Sequence, residues 1–163
     1  MEGQGVFWAS AEGAPSRFDG ATLVLPAVAG GNVGQLACDL LLHNLAMSRV
    51  GFLDLPEVLP AVGNDPLGGS DGRMALAVEV FAHAELDLVV VQQRTPTITG
   101  KQVSMATTLA SWISRAGFKE VVVLAGVEVP SGRLPAQIGV AQYRHCGSGG
   151  SVERLARLQA QDG

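Results

Sequence analysis

Two short patterns in this chain of 163 residues have residue types at spacings that could do chemistry. The first is Ala29-x-Gly31-x-x-Gly34, one residue short of the G-x-G-x-x-G fingerprint. Asp54 follows twenty residues beyond Gly34, near where a dinucleotide fold places its ribose-binding acid. The chemistry would be electrostatic: a pyrophosphate resting on free backbone N–H groups where a helix begins near Val33. The second is Gly68-Gly69-Ser70-Asp71-Gly72, which matches the G-x-S-x-G nucleophile pattern. A nucleophilic serine of that kind needs a sharp strand-to-helix turn. Here a turn, Asn64-Asp65-Pro66, precedes it and an extended pattern over residues 74–81 follows, so the context for a hydrolase is wrong.

The other reactive side chains are scattered. His43, His83 and His145 have no Cys or carboxylate at metal-ligand spacing, and the His145-Cys146 pair alone does not make a four-ligand site. Cys38 and Cys146 lie more than a hundred residues apart, which indicates neither a disulfide framework nor a Cys-based metal site. Lys119-Glu120 and Arg94 read as charges at strand ends. Arg94 nevertheless follows an apolar strand at its carboxyl end, the edge where α/β sheets hold ligands.

The elements that would position these residues follow from periodicity. Thr22-Leu23-Val24-Leu25-Pro26 is a short apolar run that reads as a strand and enters the Gly-rich turn. Residues 35–47 place Leu36, Leu40, Leu41 and Leu45 at helical spacing, and Val50-Gly51-Phe52-Leu53 restarts a strand. Residues 74–81 and 86–92 predict a hairpin across Ala82-His83-Ala84-Glu85. Alternation of Ala75, Ala77 and Glu79 against Leu76, Val78 and Val80 predicts a half-exposed first strand; Val89-Val90-Val91 is apolar on both faces. Residues 101–116 form a second helix that Gly117 should stop, and Val121-Val122-Val123-Leu124 is the next buried strand. Strand–helix–strand logic used twice predicts an α/β fold, a three-layer αβα sandwich with a mainly parallel sheet.

Residues 1–17 are rich in Gly, Ala and Ser and predict a flexible leader; residues 18–146 form the αβα domain. Gly147-Ser148-Gly149-Gly150 opens a linker that ends in a short helix over residues 151–160. Composition narrows the function. Apolar residues make up 47% and charged residues 16%, so little charge remains to keep every face polar, which favours a chain that buries a further face against a partner. The net charge of −4 and the dispersed Lys and Arg leave no basic stripe for nucleic acid. No apolar run reaches the roughly 20 residues of a membrane span, and the N-terminus has no basic, apolar signal pattern, so a reducing intracellular compartment is expected.

The Gly turn keeps two readings on residue grounds. Glycines at Gly30, Gly31 and Gly34 suit a phosphate loop and equally suit a strand that must turn sharply onto a helix, where positive φ and close packing call for them. Pro26 and Asn32 are atypical of a phosphate loop, and Asp54 is followed by Pro56 and Glu57. The phosphate reading leads to an NAD- or nucleotide-binding Rossmann-like enzyme. The other leads to a binding protein without catalytic chemistry.

A wider resemblance bears on the choice. Pro26-Ala27-Val28 leading into Gly31-Asn32-Val33-Gly34-Gln35-Leu36-Ala37 resembles the N-terminal signature of the proteasome assembly chaperone 2 family. Met47-Ser48-Arg49-Val50-Gly51, the turn Pro60-Ala61-Val62-Gly63-Asn64-Asp65-Pro66, and Leu109-Ala110-Ser111-Trp112-Ile113 with Gly117 and residues 121–124 are similar to its later segments, in order. The resemblance covers residues 18–133. It implies a nucleoside-phosphorylase-like fold without enzymatic activity, catalytic residues, cofactor or metal. It also implies a heterodimer with proteasome assembly chaperone 1 that acts on 20S α-subunit rings and suppresses off-pathway ring dimers, in the cytoplasm and also the nucleus. Under it, Gly30, Gly31, Asn32 and Gly34 form a structural turn or partner contact. The chain ends Gln161-Asp162-Gly163, without the hydrophobic-Tyr-X tail of such chaperones, and reads as the first half of a longer subunit.

Overall fold

The structure is a computed structural model that describes residues 6–10, 15, 17–67, 74–126, 146–148, 150 and 153. The chain divides into two units, Met1–Val127 and Glu128–Gly163, and the fold described below is that of the first. Its elements run β1 (Phe7–Ala9), β2 (Thr22–Pro26), α1 (Val33–Asn44), β3 (Ser48–Leu53), β4 (Val62–Asn64), β5 (Met74–Leu76), β6 (Val78–His83), β7 (Leu88–Gln93), α2 (Gln102–Ala116) and β8 (Glu120–Leu124).

Six strands form the main sheet in the order β1-β3-β6-β7-β2-β8, and β4 and β5 pair as a separate two-stranded ribbon. The ladders of β2 with β7 and with β8 are parallel; those of β1 with β3, β3 with β6 and β6 with β7 are antiparallel. Four strands therefore share one direction, and β1 and β6 reverse it. In the parallel pair β2 and β7, Leu23, Val24, Leu25, Val89, Val90 and Val91 are all buried, whereas β8, expected as a buried strand, is the sheet edge and leaves Val121 and Val123 40% and 57% exposed. Strands covered on both faces lose the in–out alternation of half-exposed ones.

Each face has its own helix. On one, α2 inserts Leu109, Trp112 and Ala116, spaced three and four residues apart, against Leu23, Leu25, Val78, Val80, Val89 and Val91. On the other, α1 inserts Cys38 and Leu42 against Val24, Phe81 and Val90. This is the α/β sandwich that the sequence predicts. Each fully buried Val or Leu contributes roughly 1.5–3 kcal/mol relative to exposure, so these two layers outweigh any single polar contact.

Four rings gather at one end of the α2 face. Phe7, Phe18, Trp112 and Phe118 interlock, with centroids 5.3 Å apart for Phe18–Phe118 and 5.5 Å for Trp112–Phe118. Phe7 belongs to β1, inside the segment expected to be a flexible leader. Its strand is specified by pairing with β3 and by this ring contact, neither of which leaves a local period. Helix α1 stops at Asn44 and not near residue 47, because Leu45 turns extended (φ −104°, ψ 142°). Helix α2 ends at Gly117, which takes the left-handed conformation (φ 83°) expected of it. Its last carbonyls are met from another segment: Phe18 N–H donates to Ala116 O at 2.7 Å and Gly20 N–H to Gly117 O at 3.2 Å.

The hairpin of β6 and β7 forms in register from Val78↔Gln93 to His83↔Leu88. Its first strand is not the whole run of residues 74–81, whose start, Met74–Leu76, pairs with β4 instead, and it is not half exposed. Val78, Glu79, Val80 and Phe81 are all buried, since both helices reach over this central position.

Candidate functional site

The Gly-rich segment follows β2 through a tight turn. Gly30–Asn32 make one 3-10 turn in which Gly31 (φ 74°) and Asn32 (φ 53°) are both left-handed. That conformation costs an ordinary residue roughly 1–2 kcal/mol and glycine nothing, with asparagine tolerating it better than most. Asn32 is the N-cap of α1 and makes no side-chain capping bond. Gly34 has a different reason. A Cβ at Gly34 would stand 2.2 Å from the carbonyl oxygen of Leu124, so α1 can lie against the end of β8 only because residue 34 has no side chain.

Asp54, the acid that the dinucleotide reading needs beside this turn, lies elsewhere. It follows β3, which is separated from β2 by β6 and β7. Three strand spacings amount to about 14 Å. In a Rossmann unit the two strands are neighbours; here the β6–β7 hairpin has been inserted between them.

The polar groups that do converge lie between α1 and the carboxyl end of β7. Glu79, 2% exposed, receives Arg49 Nη1 on one carboxylate oxygen at 2.7 Å and Arg94 Nε on the other at 3.4 Å. Arg94 Nη1 also reaches Asp39 Oδ1 at 3.3 Å. Gln92, with no exposed surface, donates Nε2 to the same oxygen at 2.6 Å and to the backbone carbonyl of Gln35 at 2.9 Å. Arg49 Nη1 further donates to Met74 O at 2.8 Å, where β5 begins. One buried carboxylate thus ties together β3, β6, the end of β7, α1 and the β4–β5 ribbon. Burial of such a charge is tolerated only when it is paired and hydrogen-bonded on both oxygens. Gln35 Oε1, Gln92 Oε1 and Arg94 Nη2 are buried beside these contacts without a hydrogen-bond partner.

Of these residues, sequence reading singled out Arg94 alone, as a strand-end charge at the carboxyl edge. Glu79 was placed on the exposed face of an alternating strand. Arg49, Asp39 and Gln92 carry no local signal of this role, since their partners lie 25 to 57 positions away in the chain. The one local signal was Gln92-Gln93-Arg94 directly after a fully apolar strand.

The remaining candidates are apart from this cluster. His43 is exposed at the end of α1, and His83 accepts the Glu85 N–H at 3.1 Å in the hairpin turn. His145 and Gly68–Gly72 lie outside the described residues, as does almost all of the expected linker and short helix after residue 146. Burial, with a further push from Asp39, raises the Cys38 thiol to about 12, which keeps it protonated and inert as a nucleophile. Among the described residues no group of three or more His, Cys, Asp or Glu is placed to hold a metal ion, and no helix is long and apolar enough to cross a membrane.

What α1 leaves outward is apolar. Gly34, Cys38 and Leu42 face the sheet, while Val33, Leu36 and Leu40 on the opposite side are 54%, 58% and 64% exposed. Asp39 is the sole charged residue of the helix, and it is engaged with Gln92 and Arg94.

Fold and surface together define an α/β sandwich whose converging polar groups hold its elements in place and whose first helix carries an open apolar side. Comparison with known proteins identifies the lineage. The sequence model of the PAC2 family matches residues 23–155. Proteasome assembly chaperone 2 of Nematostella vectensis is 42% identical over 133 residues, which are 78% of this chain and 54% of that protein. The human protein of the same name is 37% identical over 109 residues, 65% of this chain and 41% of its own length. The chain belongs to the PAC2 family. It spans about half the length of the curated relatives it matches. Among solved structures, Pyrococcus furiosus PbaA, an archaeal homolog of proteasome-assembly chaperone, superposes with a TM-score of 0.58 over 88% of this chain and 55% of its own, at 17% identity. A Thermoplasma acidophilum protein of unknown function gives 0.52 over 66% and 43%, at 21% identity. At these identities the two structures bear on the fold alone.

Proposed function

We propose that this chain is a chaperone subunit of proteasome assembly: paired with proteasome assembly chaperone 1, it promotes formation of the 20S α ring and prevents off-pathway ring dimers. The observation that carries this reading is the PAC2 family match over residues 23–155, together with relatives named for that role at up to 42% identity. The surface supports it. An apolar helix side on a chain with only 16% charged residues suits binding by burial. In this reading the chain works without a cofactor and is not an enzyme; both oxygens of the buried Glu79 carboxylate are occupied by guanidinium groups, and the buried Cys38 thiol is held protonated. Its place of action is the cytoplasm, and the nucleus as well.

Co-expression with proteasome assembly chaperone 1, followed by size-exclusion chromatography, tests the pairing. A co-eluting complex of one copy of each is expected. A soluble chain that elutes alone at every ratio would refute it.

A further inference from the structure

We infer that one water molecule is bound as a structural ligand between the start of α1 and the carboxyl end of β7, held by Gln35, Gln92 and Arg94. Two segments bring these side chains together. Arg94 N–H donates to Ala77 O at 2.8 Å and so carries the β6–β7 ladder one residue beyond Gln93. Gln92 and Arg94 are thus two residues apart in extended chain, and their side chains leave the same face of the sheet. Opposite them, Gln35 and Asp39 are four residues apart on α1 and share one side of the helix. The two pairs touch directly. Gln92 Nε2 donates to Gln35 O at 2.9 Å and to Asp39 Oδ1 at 2.6 Å, and Arg94 Nη1 reaches the same Asp39 oxygen at 3.3 Å.

These bonds decide which atoms are left over. Both partners of Gln92 are acceptors, so its amide must turn the NH2 group toward them; Oε1 is the end that stays unpaired, on a side chain with no exposed surface. Arg94 engages Glu79 through Nε and Asp39 through Nη1, which leaves Nη2. Gln35 adds its own Oε1. All three of these atoms are buried and without a hydrogen-bond partner in the protein. Two are acceptors and one is a donor.

That set selects the ligand. A water molecule donates to both glutamine oxygens and accepts from the guanidinium at a single position. An ammonium ion has no lone pair for Arg94 Nη2, and a halide or carboxylate has no hydrogen for the amide oxygens. Asp39 and Glu79 already balance the charges of Arg94 and Arg49, so the site offers no net charge to an ion. Buried waters ordinarily make about three hydrogen bonds to groups that would otherwise be unsatisfied, and three atoms are left over here. The Arg94 and Asp39 side chains keep 21% and 38% of their surface exposed, which gives solvent a way in at this edge. Once bound, the water fastens the first turn of α1 to the end of β7. This role goes beyond the chaperone reading and does not rest on it.

A high-resolution crystal structure of the chain, with bromide in the crystallisation medium, reads the site directly. One water-sized peak should lie about 3 Å from Gln35 Oε1, Gln92 Oε1 and Arg94 Nη2, with no anomalous signal from bromide. Gln35→Met supplies an independent readout, because it keeps the length of the side chain, its helix propensity and the backbone carbonyl that Gln92 uses, and removes only the amide. If that amide holds a water, its loss takes a partner from the water; the urea midpoint should fall, and amide hydrogen exchange in the first turn of α1 should quicken. If the oxygen is simply unpaired, removing it relieves a desolvation cost and the midpoint holds or rises. An unchanged or raised midpoint would therefore overturn the inference. So would a bromide signal at the site, or a structure in which the three side chains bond one another with no water between them.

Discussion

Glu79 shows how much one side chain can decide. Its carboxylate sits between Arg49 and Arg94 at 2.7 and 3.4 Å, with almost no exposed surface. Truncating it leaves two guanidinium groups facing an empty, poorly solvated position. Glu79→Ala should therefore cost about 3 kcal/mol, the low end for breaking a buried pair because both arginines keep some contact with water; urea denaturation measures it. Glu57 makes a smaller, pH-dependent contribution. A hydrogen bond from Ser104 Oγ at 2.7 Å is the main reason its carboxyl is held below the ordinary glutamate range, aided by its own backbone N–H, Thr108 and the charge of Lys101 against the opposing effect of burial. A carboxylate with a depressed folded-state pKa adds stability that is fully present above the unfolded value and is lost as pH falls through the folded one. The native chain should thus lose stability on acidification below the ordinary glutamate range, and Glu57→Gln should lose less over the same interval. Identical pH profiles would contradict this role. Neither residue was legible in the sequence as a buried partner. Both depend on contacts with residues far along the chain, and a single glutamate within an alternating strand looks like any solvent-facing charge.

At the scale of elements, local chemistry was legible and neighbours were not. The Gly117 stop of α2, the β6–β7 hairpin and the turn before α1 could be read because each rests on residues adjacent in sequence: a left-handed glycine, two apolar runs separated by a polar turn, a Gly-rich run after an apolar strand. Strand β1 could not, since it exists through Phe7↔Leu53 pairing and ring contacts with Phe18 and Trp112. The insertion of the β6–β7 hairpin between β2 and β3 was equally hidden. It is what separates Asp54 from the Gly turn and removes the sense of the near-fingerprint. The packing of α1 yields a sharp contrast. Gly34→Ala would drive a methyl group into Leu124 O, whereas Gly63→Ala would meet nothing within 4 Å. The first should destabilise by about 1–3 kcal/mol as an overpacked contact, and the second should stay within about 0.5 kcal/mol. Thermal denaturation of the two variants side by side checks this; equal effects would mean that α1 does not rest on β8 as described.

For the molecule as a whole, the sandwich was legible because the runs Leu23–Leu25 and Val89–Val91 are apolar throughout and its helices carry apolar residues at spacings of three and four. Its purpose was not. Composition pointed to a partner without naming one, and the residues of the Gly turn were compatible with a nucleotide as well as with packing. Motif resemblance narrowed that choice, and membership of the PAC2 family places the chain in a lineage whose curated members are named for proteasome assembly. The central claim then concerns α rings. Purified 20S α subunits assembled with and without this chain and its partner chaperone, and sized by native mass spectrometry, test it most directly. The account predicts α-ring species that carry the chaperone pair and a reduced share of ring dimers. An unchanged distribution of rings and ring dimers, with no chaperone bound to either, would contradict it.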